Sequence, residues 1–212
     1  MTHRYTLEAN WKLPHENYQE CYHCPLIHPE LCRVSPPLSG DNYENHTGAW
    51  VGGTMDLAEG AATMSLDGRS GGTAIRGLSP QELRRVAYIG LFPTLLLSLH
   101  PDYVLTHRVQ PLTTGTTWVE CQWLFPPEAV ARPDFDPSYA VDFWDLTNRQ
   151  DWSAVESVQR SLVSPAFVPG VLAEQEDAVY QLVTMVARGY LGEALAPLAA
   201  YPSVHPSQEV SP

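Results

Sequence analysis

Tyr103-Val-Leu-Thr-His-Arg-Val-Gln110 and Thr116-Thr-Trp-Val-Glu-Cys-Gln-Trp-Leu-Phe125 stand only a few residues apart. Both runs are rich in Val, Leu, Tyr and Trp, side chains that suit a pleated, half-buried surface. Thr113-Thr-Gly115 between them makes a short hairpin link. Pro101-Asp102 ties the first run to a longer apolar stretch, Arg85 to His100. Successive short links favour an antiparallel sheet, because parallel strands need a long crossover. Ala49 to Leu57 and Gly72 to Gly77 are read as further strands, with the Gly/Ser-rich residues 67–72 as a turn.

Helical patterns flank this block. Pro14 to Cys24 suits a helix with proline in its first turn, ended by Pro25. Residues 33–46 read as loop. Asp136-Pro137 pairs an N-cap residue with a first-turn proline, opening a helix to about Leu162, in one piece or two. A last helix is predicted from about Glu174 to Leu195, with Val179, Leu182, Val183, Val186 and Leu191 at helical spacing. The order helix, sheet, helices reads as α+β. Residues 1–9 are taken as a short lead, 10–195 as one domain, and 196–212 as a Pro/Ser-rich tail without fixed structure.

The 212 residues carry 24 acids against 12 bases, a formal charge of -12. Such a surface repels phosphate backbones and anionic lipid, so neither nucleic acid nor membrane is expected as a partner. The longest apolar run is too short to span a bilayer and contains Pro93. No secretory signal is visible, and a cytoplasmic location is expected. For a chain of this size the four cysteines are expected as reduced thiols.

Chemistry concentrates in Glu20-Cys-Tyr-His-Cys-Pro-Leu-Ile-His-Pro29 and, far downstream, Asn148-Arg-Gln-Asp-Trp152. On one continuous helix His23 and His28 would point about 140° apart. Pro25 relieves this: His23 can project from the last turn and His28 can return from the bend. Asp151, Val155, Val158 and Leu162 share one helix face, so the carboxylate leads an apolar stripe towards the interior. A carboxylate there is costly unless it is paired or bound to a metal. Two imidazoles and one carboxylate form the facial triad that holds non-haem iron(II) with open positions. A zinc site using Cys21 and Cys24 is weighed and ranked lower, because adjacent His23 and Cys24 converge poorly on one tetrahedral ion. His100 is placed either in the pocket wall or against backbone. Trp50, Phe92, Trp118, Trp123 and Trp144 are candidate aromatic walls.

These motifs, with Asn10-Trp-Lys-Leu13, Glu16-Asn-Tyr18, Ser98-Leu-His-Pro-Asp102 and Phe143-Trp-Asp-Leu-Thr-Asn-Arg-Gln-Asp-Trp152, resemble the catalytic domain of Rieske-type non-haem iron oxygenase α subunits. The Glu-Cys-Tyr-His-Cys form is most similar to monooxygenases of choline, glycine betaine and related quaternary ammonium compounds. The resemblance implies a helix-grip (START-like) fold, an antiparallel sheet wrapped around a long C-terminal helix. It implies Fe(2+) on His23, His28 and Asp151, and a homotrimer in which Glu20 links His23 to a Rieske cluster of the neighbouring subunit. A cluster needs Cys-x-His followed by Cys-x-x-His. Cys21-Tyr-His23 matches the first half, and no Cys-x-x-His follows. No [2Fe-2S] cluster is therefore expected in this chain, and electrons must come from a Rieske or ferredoxin-type donor in trans. The expected activity is O2-dependent hydroxylation or N-demethylation of a small organic substrate. The rival expectation is a non-catalytic small-molecule-binding module or an inactive remnant on the same scaffold.

Overall fold

The computed structural model describes residues 1–44 and 47–195. In chain order the elements are β1 (Thr2–Leu7), α1 (Lys12–Tyr18), α2 (Cys24–Ile27), α3 (Pro29–Val34), β2 (Asp41–Asn42), β3 (Trp50–Asp56), β4 (Arg85–Leu91), β5 (Leu95–Leu99), β6 (Val104–Pro111), β7 (Thr117–Leu124), α4 (Pro127–Val130), α5 (Ser138–Leu162) and α6 (Asp177–Leu191). The strands form one antiparallel sheet in the order β1-β7-β6-β5-β4-β3-β2. The α+β expectation holds.

Alternation explains the sheet's inner face. On β6, Leu105, His107 and Val109 are buried while Arg108 and Gln110 face outwards. On β7, Val119, Cys121 and Trp123 are buried. The 25-residue α5 lies against this face and buries Ala140, Val141, Phe143, Trp144, Thr147, Asn148 and Val155. Their spacing of three and four is the stripe a core-facing helix needs. Burying Phe143 and Trp144 contributes roughly 2–3 kcal/mol each. A smaller apolar cluster, Val51, Leu182 and Met185, fastens α6 to β3.

Several expectations need correction. Residues 1–9 are not a mere lead: β1 pairs with β7 along its full length, His3 opposite Cys121. As an edge strand of mostly polar residues it lacks a strong apolar signature. Arg85 to His100 is two strands, folded back at Phe92 to Thr94, with Ile89 opposite Leu97. Residues 72–77 do not form a strand. Gly71 and Gly72 are pressed under Tyr139, where added Cβ atoms would come within 2.7 Å of its side chain. The first helix ends at Tyr18, and Pro25 sits in the first turn of α2 instead of breaking a helix. α5 is one unbroken helix, but its apolar stripe is buried only as far as Val155; Val158 and Leu162 are exposed. The last helix ends at Leu191, with Gly192 in the left-handed region. Residues 33–46 include the end of α3 and the short β2. The expected tail, 196–212, lies outside the described residues.

Candidate metal centre and substrate cavity

Gly90 decides where α1 lies. A Cβ there would come 2.2 Å from Gln19 Nε2 and 2.7 Å from His15 Nε2. Without one, the helix presses directly on β4, and His15 Nδ1 donates to the Pro93 carbonyl at 3.0 Å. The chain then bends through Gln19 to Tyr22. His23 occupies the position just before α2, and His28 ends α2 and opens α3 with a non-helical backbone (φ -121°, ψ 64°). Pro29 imposes that break, since a residue before proline avoids the α region. A four-residue helix thus separates the two histidines, in place of the simple bend expected.

Both rings reach α5. His28 Nε2 lies 2.8 Å and His23 Nε2 3.4 Å from Asp151 Oδ1. The remaining ring nitrogens are held elsewhere. His23 Nδ1 bonds Glu20 Oε1, whose partner oxygen accepts from the backbone N–H groups of Tyr22 and His23. His28 Nδ1 donates to Gln150 Oε1 at 2.7 Å. Gln150 Nε2 faces Glu30 Oε2 at 3.4 Å, which sets the amide's orientation. Asn17 Nδ2 donates to Asp151 Oδ1 at 2.8 Å. Burial pushes the Asp151 carboxyl up, but hydrogen bonds from His23 and His28 outweigh it and hold the group below the usual carboxylate range.

This donor set suits a divalent transition metal. Two ligand atoms about 2.1 Å from a shared ion, at right angles, sit about 3 Å apart. The two nitrogen-to-Oδ1 distances bracket that spacing, and both Nδ1 atoms are already engaged, as ligating histidines require.

Cys24 complicates the picture. Its sulfur and one nitrogen of each histidine lie within 4.8 Å of one another, so convergence is better than the sequence suggested. That sulfur is joined to Cys21, with Cα atoms 4.9 Å apart, which corrects the expectation of reduced thiols here. A disulfide sulfur is not a thiolate ligand. Cys32 and Cys121 are free.

The cluster lies in the wall of a cavity of about 1120 Å³. Aromatic rings line its interior: Tyr18 and Tyr88 at 5.8 Å between centroids, Tyr88 and Trp144 at 6.5 Å, with Trp152 beside Asp151. Glu20, Asp41, Glu44, Glu174, Glu176 and Asp177 border it, and no lysine or arginine does among the described residues. Of the aromatic walls expected, only Trp144 lines the cavity. Trp123 is buried against His3, and Trp118 carries Arg108 on its face. Tyr18, Tyr88, Trp152 and His107 were missed; strand alternation could have flagged Tyr88 and His107. His100 is not in the wall. It stacks on Tyr103 at 4.0 Å, and neither ring nitrogen has a partner among the described residues.

An antiparallel sheet closed by one long helix, with two histidines and a helix-borne carboxylate meeting beside a cavity, is the build of a mononuclear-metal oxygenase catalytic domain. The chain belongs to the family described as ring hydroxylating alpha subunit (catalytic domain), whose model matches residues 1–192. It is 30% identical over 190 residues to the glycine betaine monooxygenase oxygenase subunit of Pseudomonas aeruginosa, covering 76% of this chain and 44% of that protein. The corresponding Chromohalobacter salexigens protein is 29% identical, with 77% and 43% covered. The chain thus spans less than half the length of these relatives. Among solved structures, the quaternary ammonium Rieske monooxygenase CntA superposes with a TM-score of 0.67 at 17% identity, covering 89% of this chain and 48% of that one. NdmA of Pseudomonas putida CBB5, solved with caffeine, gives 0.62 at 13% identity, covering 97% and 58%. Both show the shared fold. No described helix is long and apolar enough to cross a membrane.

Proposed function

We propose that the chain is a mononuclear non-haem iron oxygenase domain of helix-grip type, acting on a small cationic organic substrate. His23, His28 and Asp151 hold Fe(2+). The reading is carried by one observation: two imidazole nitrogens meet a single Asp151 oxygen at 2.8 and 3.4 Å in the wall of an aromatic cavity. Bound iron supplies the activation of O2 for hydroxylation or N-demethylation.

The chain's own residues do the rest. Glu20 and Gln150 orient the two imidazoles. Asn17 holds the carboxylate. Tyr18, Tyr88, Trp144 and Trp152 line the cavity, and aromatic rings attract quaternary ammonium when water is excluded. The acidic border draws cations inward. Electrons arrive in trans from a Rieske or ferredoxin-type donor, and Glu20, bonded to His23 and to the backbone N–H of exposed Tyr22, is the bridge. In a homotrimer a neighbouring subunit would dock on this face. The intact triad favours this reading over a carrier that merely encloses a ligand.

Anaerobic purification with ferrous iron tests it. About one iron per chain is expected, giving a nitrosyl spectrum when nitric oxide is added, and Asp151→Ala should abolish both. Wild-type protein that stays iron-free would sink the proposal.

A further inference from the structure

His107 sits on β6 between Leu96 of β5 and Cys121 of β7, facing inwards and 2% exposed. It lines the same cavity, with its ring 5.9 Å from Tyr18 and 6.4 Å from Trp152. Its tautomer follows from the orientation of its partner amide. Asn148 Nδ2 points at Cys121 Sγ at 3.6 Å. Asn148 Oδ1 therefore faces His107 Nε2, 3.1 Å away, and must accept its proton. Burial keeps the ring neutral, its pKa pushed down to about 4. A neutral imidazole has one N–H. With Nε2–H engaged, Nδ1 is a bare acceptor, buried and without a partner among the described residues.

We propose that His107 Nδ1 is a specificity-determining acceptor that selects substrates carrying a hydroxyl group. A buried acceptor left unpaired costs free energy, so a ligand that supplies the missing donor gains what an aliphatic one forfeits. The neighbouring Trp152 Nε1–H is likewise buried and without a partner among the described residues. A hydroxyl can donate to the imidazole and accept from the indole, whereas a fully substituted ammonium offers no donor at all. Tyr88, whose hydroxyl also lacks a partner among the described residues, can donate or accept and so does not discriminate. The inference rests on the small-molecule reading of this cavity and extends it to the substrate's second functional group.

Calorimetric titration of the iron-free protein tests it with an isosteric pair, choline and propyltrimethylammonium, which differ by hydroxyl against methyl. Tighter binding of choline by tenfold or more is expected. His107→Phe should erase the preference while retaining propyltrimethylammonium, and His107→Gln, which keeps an acceptor, should restore part of it. Equal affinities in the wild type, a preference that survives His107→Phe, or no choline binding would each overturn the proposal. Nitrogen-15 NMR of the wild-type imidazoles needs no variant: Nδ1 of His107 should be unprotonated, and a proton there would equally overturn it. Because no iron is used, a protein that fails to bind iron but shows the preference refutes the oxygenase reading alone. One that binds iron without the preference refutes this inference alone.

Discussion

Gln150 accepts a hydrogen bond from His28 Nδ1 at 2.7 Å, and its neighbour Asp151 lies 2.8 Å from the other nitrogen of the same ring. Two consecutive residues of α5 thus grip opposite edges of one imidazole. Gln150 sets the tautomer that leaves Nε2 free for a metal. Gln150→Leu should weaken ferrous iron binding about 10–100-fold, the usual loss when a ligand's orienting partner is removed. Competition titration against a chelator reads this, with circular dichroism confirming the fold. Unchanged affinity would show that Gln150 does not orient the site.

The iron affinity should rise with pH. In the metal-free protein burial pulls the His23 pKa down, but the hydrogen bonds to Asp151 and Glu20 outweigh it and raise it to about 9. At pH 7 His23 therefore holds a proton that a metal must expel. Affinity should climb towards pH 9 by up to about tenfold per unit. Binding at pH 7 should release protons, measured by calorimetry in buffers of different ionisation enthalpy. The sign is opposite for metal-free stability. A raised histidine pKa contributes stability fully below about pH 6.5, and that contribution is lost as pH rises through about 9. Finding no proton release would contradict the pairing seen here.

Acid should destabilise the fold through three other histidines. Burial holds His15 and His107 at about 4 and His100 well below its ordinary value. Between pH 6.5 and 4 the unfolded chain binds more protons than the folded one. Stability thus rises with pH across that window and falls on acidification, by up to about 1.4 kcal/mol per unit for each histidine. The urea midpoint should drop clearly from pH 7 to pH 5. His15→Gln should flatten the slope by up to one proton. A midpoint indifferent to pH would mean these rings are hydrated.

Gly90→Val should injure both stability and metal binding. The new side chain would displace Gln19 and His15, lifting α1 and the bend that carries Glu20 and His23. Overpacking of this kind costs about 1–3 kcal/mol. Gly115→Ala, which meets nothing within 4 Å, is the control and should be neutral. Thermal melts and iron titration on both variants give the comparison. Equal behaviour would show that α1 is not seated on β4.

Local pattern revealed much of the sheet and α5, because alternation on β6 and β7 and the three-four spacing from Ala140 to Val155 follow from backbone geometry alone. It failed at β1, a polar edge strand that becomes a strand only by pairing with β7. It failed again at Arg85 to Leu99, where an unbroken apolar run conceals a reversal between β4 and β5.

The sequence by itself determined which side chains could serve as ligands: two histidines around a proline, and a carboxylate at the head of an apolar helix stripe. These are covalent facts of spacing, and they narrow the chemistry before any folding is known. Only the tertiary structure decided that the three meet, because Asp151 is more than a hundred residues from His28 and no local rule spans that interval. The seating of α1 over Gly90 and of α5 across the sheet brings them within hydrogen-bonding distance. The cavity wall was decided there too. His107 takes its tautomer from Asn148 on α5, whose amide is oriented by Cys121 on β7, residues that touch one another only in the folded chain.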